Sequence, residues 1–471
     1  MLTESDNGGI KLSEQAVSPG MQAKGSNYAW VVAIASFLAQ VAAFFVVQLW
    51  GMNLAYMAND FGIVPTDLAI GSSLFGVIYA ALAVVWGSIA DKLGIRFVQT
   101  IGAIGSGVML VIAGMFGMNS VTVIALYAIA GVFLSGISLS IVPKVVSVWF
   151  ATHSRGKAFA LICCGGSLAG VINGVIMPAM INEGGWRLCF VGIGIICVIV
   201  GVLVCIFVRN NPSIMGKEPF GIEKETEVVV NQSQIQKDID KESNKERIIR
   251  VLKMPNLWKM GIIFILYQVY YMAHVTFFVA AFIDAGYDLT TAGLISSVLY
   301  AGIFAGQIIF PIISDHFARK NVLGILLLCA GILYMSLYFV LSANLDTGVV
   351  LVLMAACGVA FACNAMMQST MTEMFPPDLR GTGPGMVNTL GMIGKFGGPL
   401  ICGTAIASLG GSAIVFPLIS GPCAIVAAII ALFTLPKTSG KYGDPLAEKY
   451  AQERPMEIEE QELTEEAIQE S

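Results

Sequence analysis

Two lysines lie within long apolar runs of this sequence: Lys144 in Ser140-Ile141-Val142-Pro143-Lys144-Val145-Val146, and Lys395 in Gly391-Met392-Ile393-Gly394-Lys395-Phe396-Gly397-Gly398-Pro399. An ammonium removed from water without a partner costs several kcal/mol, and neither run carries an acid at comparable depth. The pair predicts a cavity of uncompensated positive charge, which an anion would neutralise. Lys395 lies near the middle of its run, ~16 Å from either surface at the helical rise, too far for its stem to reach water. Lys144 stands about a turn and a half from one end, where a lysine either snorkels or lines the cavity; cavity lining is the expectation.

Other polar groups interrupt apolar runs. Gln40 and Gln48 fall in one run, Asn364 and Gln368 in another, and His274 closes the cluster Tyr267-Gln268-Val269-Tyr270-Tyr271-Met272-Ala273-His274. A buried amide needs a hydrogen-bond partner, which is either a neighbouring helix or a bound solute; Gln40 is nearer mid-depth and is the better binding candidate. His274 is either a hydrogen-bonded neutral side chain or a group that takes up and releases a proton. Tyr267, Tyr270, Tyr271 and His274 recur at helical spacing and share a face.

Charged residues concentrate in short turns between apolar runs. Gly87-Ser88-Ile89-Ala90-Asp91-Lys92-Leu93-Gly94-Ile95-Arg96 has a near-copy 224 residues on, Pro311-Ile312-Ile313-Ser314-Asp315-His316-Phe317-Ala318-Arg319-Lys320. The same offset carries Pro65-Thr66-Asp67 to Ser73 onto Leu289-Thr290-Thr291 to Ser297, and an offset of 225 carries Trp149-Phe150 and Arg155-Gly156 onto Met374-Phe375 and Arg380-Gly381. The chain therefore contains itself twice. Asp91, Arg96, Asp315, Arg319, Arg155, Arg380 and Glu373 all fall at run ends on one side, where they would clamp that side shut; Glu373 is expected to pair with Arg155 or Arg380.

Elements able to position these residues must cross a membrane. With 56% hydrophobic and 12% charged residues over 471 positions and a mean hydropathy of +0.79, the chain is an integral membrane protein. Runs long enough to span occupy about 29–53, 68–90, 97–118, 121–147, 157–181, 187–208, 257–282, 291–313, 321–342, 348–371, 384–408 and 412–435. The expected fold is all-α, with twelve transmembrane helices in two pseudo-symmetric six-helix bundles, 28–208 and 257–436. Lys and Arg gather in alternate loops, which puts both termini, the linker 209–256 and the tail on the cytoplasmic side of the cytoplasmic membrane. The 1–27 segment has no apolar run, so no cleaved signal is expected. Residues 437–471 form an acidic tail, and the linker is rich in both charges; neither can build a core. The ten Cys lie in or at the ends of runs without metal or disulfide spacing.

The motif Gly87-x3-Asp91-Lys92-x-Gly94-x-Arg96 between the second and third runs, with its degenerate copy between the eighth and ninth, resembles the signature loop of the major facilitator superfamily. Trp149-Phe150-x4-Arg155-Gly156-Lys157-Ala158 and Arg209-Asn210-Asn211-Pro212 are similar to junctions of its organic-anion branches, the anion:cation symporters and the oxalate/formate or monocarboxylate carriers. The likeness covers 28–436. It implies a basic cavity residue five before the Trp-Phe pair, here Lys144, and a substrate-anion lysine in the eleventh span, here Lys395; the second cavity base of the oxalate/formate carriers, in the eighth span, is absent. It implies a secondary transporter of a small organic anion, by proton-coupled uptake or by anion exchange, working by rocking of two halves; protons are the expected co-partner and a monomer the expected state. A bulky amphipathic acid such as a bile acid is the alternative cargo. A drug or hydrophobic-cation exporter is disfavoured by the interior lysines and by the missing Gly-Pro-x-x-Gly-Gly element. A non-transporting sensor is disfavoured by loops too short for a signalling domain. No cofactor, metal or nucleic-acid partner is expected, and no nucleophile–base pair or nucleotide loop suggests an enzyme.

Overall fold

The computed structural model describes residues 26–137, 141–221, 244–314, 316–343 and 345–438, together with 446. Asp315, most of the N-terminal tail, the middle of the linker and the acidic tail lie outside the described residues. The described chain is helical: α1 (Tyr28–Phe61), α2 (Ala69–Leu93), α3 (Ile95–Phe116), α4 (Ser120–Leu134), α5 (Val142–Trp149), α6 (Thr152–Cys163), α7 (Gly165–Phe207), α8 (Asn244–Leu252), α9 (Pro255–Asp284), α10 (Leu289–Ser314), α11 (Arg319–Ser342), α12 (Thr347–Phe361), α13 (Cys363–Glu373), α14 (Thr382–Leu409) and α15 (Gly421–Thr434).

Among the described residues, eleven stretches are long and apolar enough to cross a membrane. One of them doubles back. Gly185 of α7 takes φ +69°, outside the helical region, beside Gly184 at φ −144°. Cys189 Sγ then reaches Met177 O at 3.6 Å, atoms that a continuous helix would hold ~18 Å apart. Twelve crossings result. Three of the expected spans are broken: α4 gives way to a 3-10 turn before α5, α6 ends one residue before α7, and α12 ends one residue before α13. The breaks after α4 and α12 stand at corresponding points of the repeat, and backbone groups freed at such breaks must be met inside the protein.

Turn chemistry fixes the crossings. Asn119 accepts from Thr122 N at 2.8 Å to start α4, and Asp346 accepts from Gly348 N at 2.8 Å to start α12. Ahead of α10, the Thr291 hydroxyl and amide both donate to Asp288, holding its carboxyl below the usual carboxylate range. Gly94 joins α2 directly to α3 at φ +88°, and a Cβ there would stand 2.3 Å from the Asn210 side chain. Glycine is needed on both counts.

Within the first six crossings, α1 and α3 pack on α7 and α4 packs on α2 and α3; within the last six, α9 packs on α14 and α15, α10 on α12, and α11 on α15. Three further pairs join the two sets: α1 with α9, α2 with α14, and the first part of α7 with α10. Lipid supplies no hydrophobic drive between helices, so small residues that let backbones approach decide these seams. A Cβ on Gly51 would lie 2.0 Å from Val275 O, and one on Gly174 2.3 Å from Gly293 O. A stacked aromatic column, Trp50 on Tyr127 at 4.6 Å and Tyr127 on Phe75 at 4.3 Å, stiffens the first set. Each such pair contributes ~0.5–1.5 kcal/mol.

Candidate functional site

Lys395 sits at the middle of the 28-residue α14. Gly391, Gly394 and Gly398 beside it press α14 onto α9, with Gly394 facing Ile265 O. That contact turns the lysine toward α2. An ideal Cβ on Gly76 would be 3.7 Å from Lys395 Cβ, and the ammonium lies 5.5 Å from the ring centroid of Tyr79, one turn further on. The side chain is half-buried in the seam between the two sets of crossings. A ring face is a weak counter-charge for a cation, worth ~0.5–2 kcal/mol. Ion pairs join Lys144 to Asp91, Arg187 to Asp60, Arg250 to Asp378 and Arg319 to Glu373; among the described residues none joins Lys395 to a carboxylate.

Lys144 corrects the expectation of a second cavity base. Its ammonium pairs with Asp91 and lies 3.5 Å from Gly87 O. Gly76 and Gly87 are both on the unbroken α2, so the levels of Lys395 and Lys144 differ by ~16 Å. The cause is the break after α4: helix restarts at Val142 with Pro143 in the first turn, which puts Lys144 beside the end of α2 instead of inside the bundle.

The charged turns are also paired differently from the expectation. Asp91 binds Lys144 instead of Arg96, and Arg96 donates from Nε to Cys205 O at 2.8 Å, closing the end of α7. Arg155 reaches Phe150 O at 3.0 Å and Arg380 reaches Phe375 O at 3.4 Å, each holding the start of its own turn. Glu373 pairs with Arg319 at 2.8 Å, not with Arg155 or Arg380. Each of these contacts joins elements of one set of crossings. They brace each half at the Asp91 end instead of clamping one half to the other.

The other candidates divide by environment. Gln40 is 1% exposed and donates to Ile137 O at 2.6 Å; α1 and the turn after α4 use the amide that was expected to meet a solute. Tyr270 is fully buried with its hydroxyl 3.1 Å from Cys363 Sγ, and its ring packs 5.2 Å from that of Tyr267 and 5.0 Å from Phe361, which also meets Tyr271 and His274. Tyr271 is half-buried, with rings of Tyr267 at 5.9 Å and Phe361 at 6.1 Å. Asn364 is half-buried in the first turn of α13. His274 is 1% exposed, and its Nδ1 lies 2.8 Å from the Tyr334 hydroxyl. Two groups escaped the sequence reading. Tyr79 is one aromatic among many in an apolar run and carries no signal. Asn173, which donates to Gln48 Oε1 at 2.9 Å, is a single amide beside Gly174 in an apolar run and carries little signal.

An all-helical, multi-pass membrane protein with a lysine in the seam between two repeated sets of crossings that meets no carboxylate among the described residues is the class that the fold and site define. Residues 34–399 match the Major Facilitator Superfamily profile, and the chain belongs to that superfamily. It is 25% identical over 267 residues to the membrane sensor protein UhpC of Salmonella typhimurium, covering 54% of this chain and 57% of that protein. The chain thus spans little more than half the length of this relative, as it does of UhpC of Escherichia coli, at 58%. It is 24% identical over 411 residues to the benzoate transport protein of Acinetobacter baylyi, covering 79% and 83% of the two chains. Among solved structures, that of a D-xylose-proton symporter superposes with a TM-score of 0.69 at 15% identity, covering 88% of this chain and 99% of that one. This last likeness concerns the fold alone.

Proposed function

We propose that the protein is a secondary transporter that moves an organic carboxylate across the cytoplasmic membrane, with Lys395 as the counter-charge for the carboxylate. The observation that carries this reading is a lysine at mid-length of α14, in the seam between the halves, with Tyr79 and, among the described residues, no carboxylate against its ammonium. A solute anion supplies the missing partner when bound, and the cost of the unpaired state favours its entry. The name of the Acinetobacter baylyi relative supports a carboxylate cargo. The halves 28–208 and 257–436 rock about the seam, with the Asp91 end and both termini toward the cytoplasm. Coupling runs through a proton, on His274, Lys395 or the solute itself, or through exchange for a second anion. Tyr271 and Asn364, both half-buried, are the residues nearest in character to solute contacts.

The sensor names of the UhpC relatives favour a second reading, in which the same site binds an anion without moving it. Uptake of labelled benzoate into proteoliposomes under an imposed proton gradient separates the two. Transport requires accumulation that Lys395→Ala abolishes. Binding without accumulation would select the sensor, and accumulation by Lys395→Ala at the original affinity would overturn the anion site.

A further inference from the structure

Away from Lys395, the seam holds a second polar site. Gln48 of α1 and Asn173 of α7 are 5% and 2% exposed, and the bond between them uses one end of each amide. The other ends, Gln48 Nε2 and Asn173 Oδ1, are buried without a hydrogen-bond partner. Both residues line a cavity with about 20 Å³ open to the centre of a water molecule, shared with His274 and Ser296 from the other half. Turning both amides over exchanges the atoms and preserves the inventory of one free NH₂ and one free carbonyl.

That inventory selects a ligand. A carboxylate cannot donate to the carbonyl, and an ammonium cannot accept from the NH₂; an O–H group does both. The volume admits one such oxygen. Leaving a buried amide end unmet costs ~1–3 kcal/mol, so the site discriminates strongly for an occupant of this kind. His274 also stands six residues beyond Gln268, whose Cβ faces Gly394, so the cavity level is ~9 Å along α9 from that of Lys395. A solute that meets both sites must therefore carry its hydroxyl at a level ~9 Å from its carboxylate along α9.

We infer that Gln48 and Asn173, with Ser296 and His274 opposite, form a binding site for a single hydroxyl-type group, supplied by an alcohol or phenol on the solute or by a water. The solute source rests on the proposed transport function; the water source does not. Together the two sites would define a hydroxylated carboxylate as the preferred cargo class.

The test uses the full-length protein in nanodiscs and a matched pair of probes, 3-phenylpropionate and 3-(4-hydroxyphenyl)propionate. If the solute fills the site, the hydroxylated acid binds about tenfold tighter or better, and the ratio falls to about one in Asn173→Leu and in Gln48→Met. A ratio near one in the unmodified protein, with an ordered water between the two amides in an experimental structure, assigns the site to water. A ratio near one with no oxygen bridging the amides overturns the inference, as does a preference that survives both variants with no water there. If neither acid binds at all, the transport reading loses its support, and the ordered-water observation alone decides this site.

Discussion

Gly174 of α7 and Gly293 of α10 meet backbone to backbone: a Cβ on either would stand 2.3 Å from the carbonyl oxygen of the other. This contact closes the seam toward the Asp60 end, helped by Gly170 flat against the Tyr300 ring and Gly51 against Val275 O. Ser297 Oγ, 2.2 Å from a Cβ on Gly174, can turn aside, but Gly293 O is backbone and cannot, so a larger residue must push the helices apart. Overpacking of this kind costs ~1–3 kcal/mol in the closed arrangement and nothing when the halves separate.

Gly174→Val should therefore bias the protein toward opening at the Asp60 end. Uptake is expected to fall by about tenfold or more, on the ~1.4 kcal/mol per decade scale. Labelling of an introduced Ser297→Cys by a membrane-impermeant maleimide added from that side should rise over the background of native cysteines. Unchanged labelling with lost uptake would mean that the variant is damaged instead of biased.

The Lys144–Asp91 pair predicts a different behaviour. The two side chains are 27% and 70% exposed, a setting in which a pair contributes ~0–1 kcal/mol to stability. Lys144→Ala should slow uptake while leaving the apparent KM within about twofold, because it removes a brace and not a solute contact. Exchanging the charges in an Asp91→Lys/Lys144→Asp double variant should recover part of the rate. A tenfold rise in KM for Lys144→Ala, ~1.4 kcal/mol, would return this lysine to the binding site.

The crossings and their repeat were legible because a 30-Å apolar slab imposes run length on sequence directly. The depth of Lys395 was legible for the same reason. What sequence could not carry was azimuth and interruption. The run through Lys144 reads as one helix, yet the structure restarts it at Val142, and the few residues of that break separate a cavity base from a surface brace. Gln40 and Gln48 look alike as amides in one apolar run. Only packing reveals that the first donates to Ile137 O whereas the second shares a cavity with His274. Tyr79 matters solely because Gly76 lets α14 approach α2, a three-dimensional relation that no spacing in one chain encodes.

The linker is anchored at both ends. Phe220 exchanges backbone hydrogen bonds with Trp149 and Ala151, both at 2.9 Å, at the first half. At the second half, α8 docks through Arg250 on Asp378, whose side chain is 4% exposed, and through Arg247 on Thr382 Oγ1 at 2.9 Å. Asp378→Ala removes the buried carboxylate that Arg250 docks on and loosens α8 from the second half. Limited trypsin digestion should then cut at Lys245, Arg247, Arg250 or Lys253 about tenfold faster, since cleavage tracks the population of the opened segment. An unchanged rate would show that α8 is held by its other contacts.

Lys395 supplies a prediction in which stability and function move in opposite directions. A structural lysine, held by Tyr79, would weaken the fold when removed. A binding lysine is a cost carried by the empty protein, so an apolar residue of similar length should relieve it by ~1–4 kcal/mol. Lys395→Met is thus expected to melt at the same temperature as the unmodified protein or higher, and to have lost uptake. Ligand response separates the cases further. Saturating carboxylate should raise the melting temperature of the unmodified protein, by ~2.7 kcal/mol of stabilisation at a hundredfold excess over Kd, and leave Lys395→Met unmoved. A Lys395→Met protein that melts earlier yet still responds to the acid would make the ammonium a packing element and leave the solute's charge to be met elsewhere.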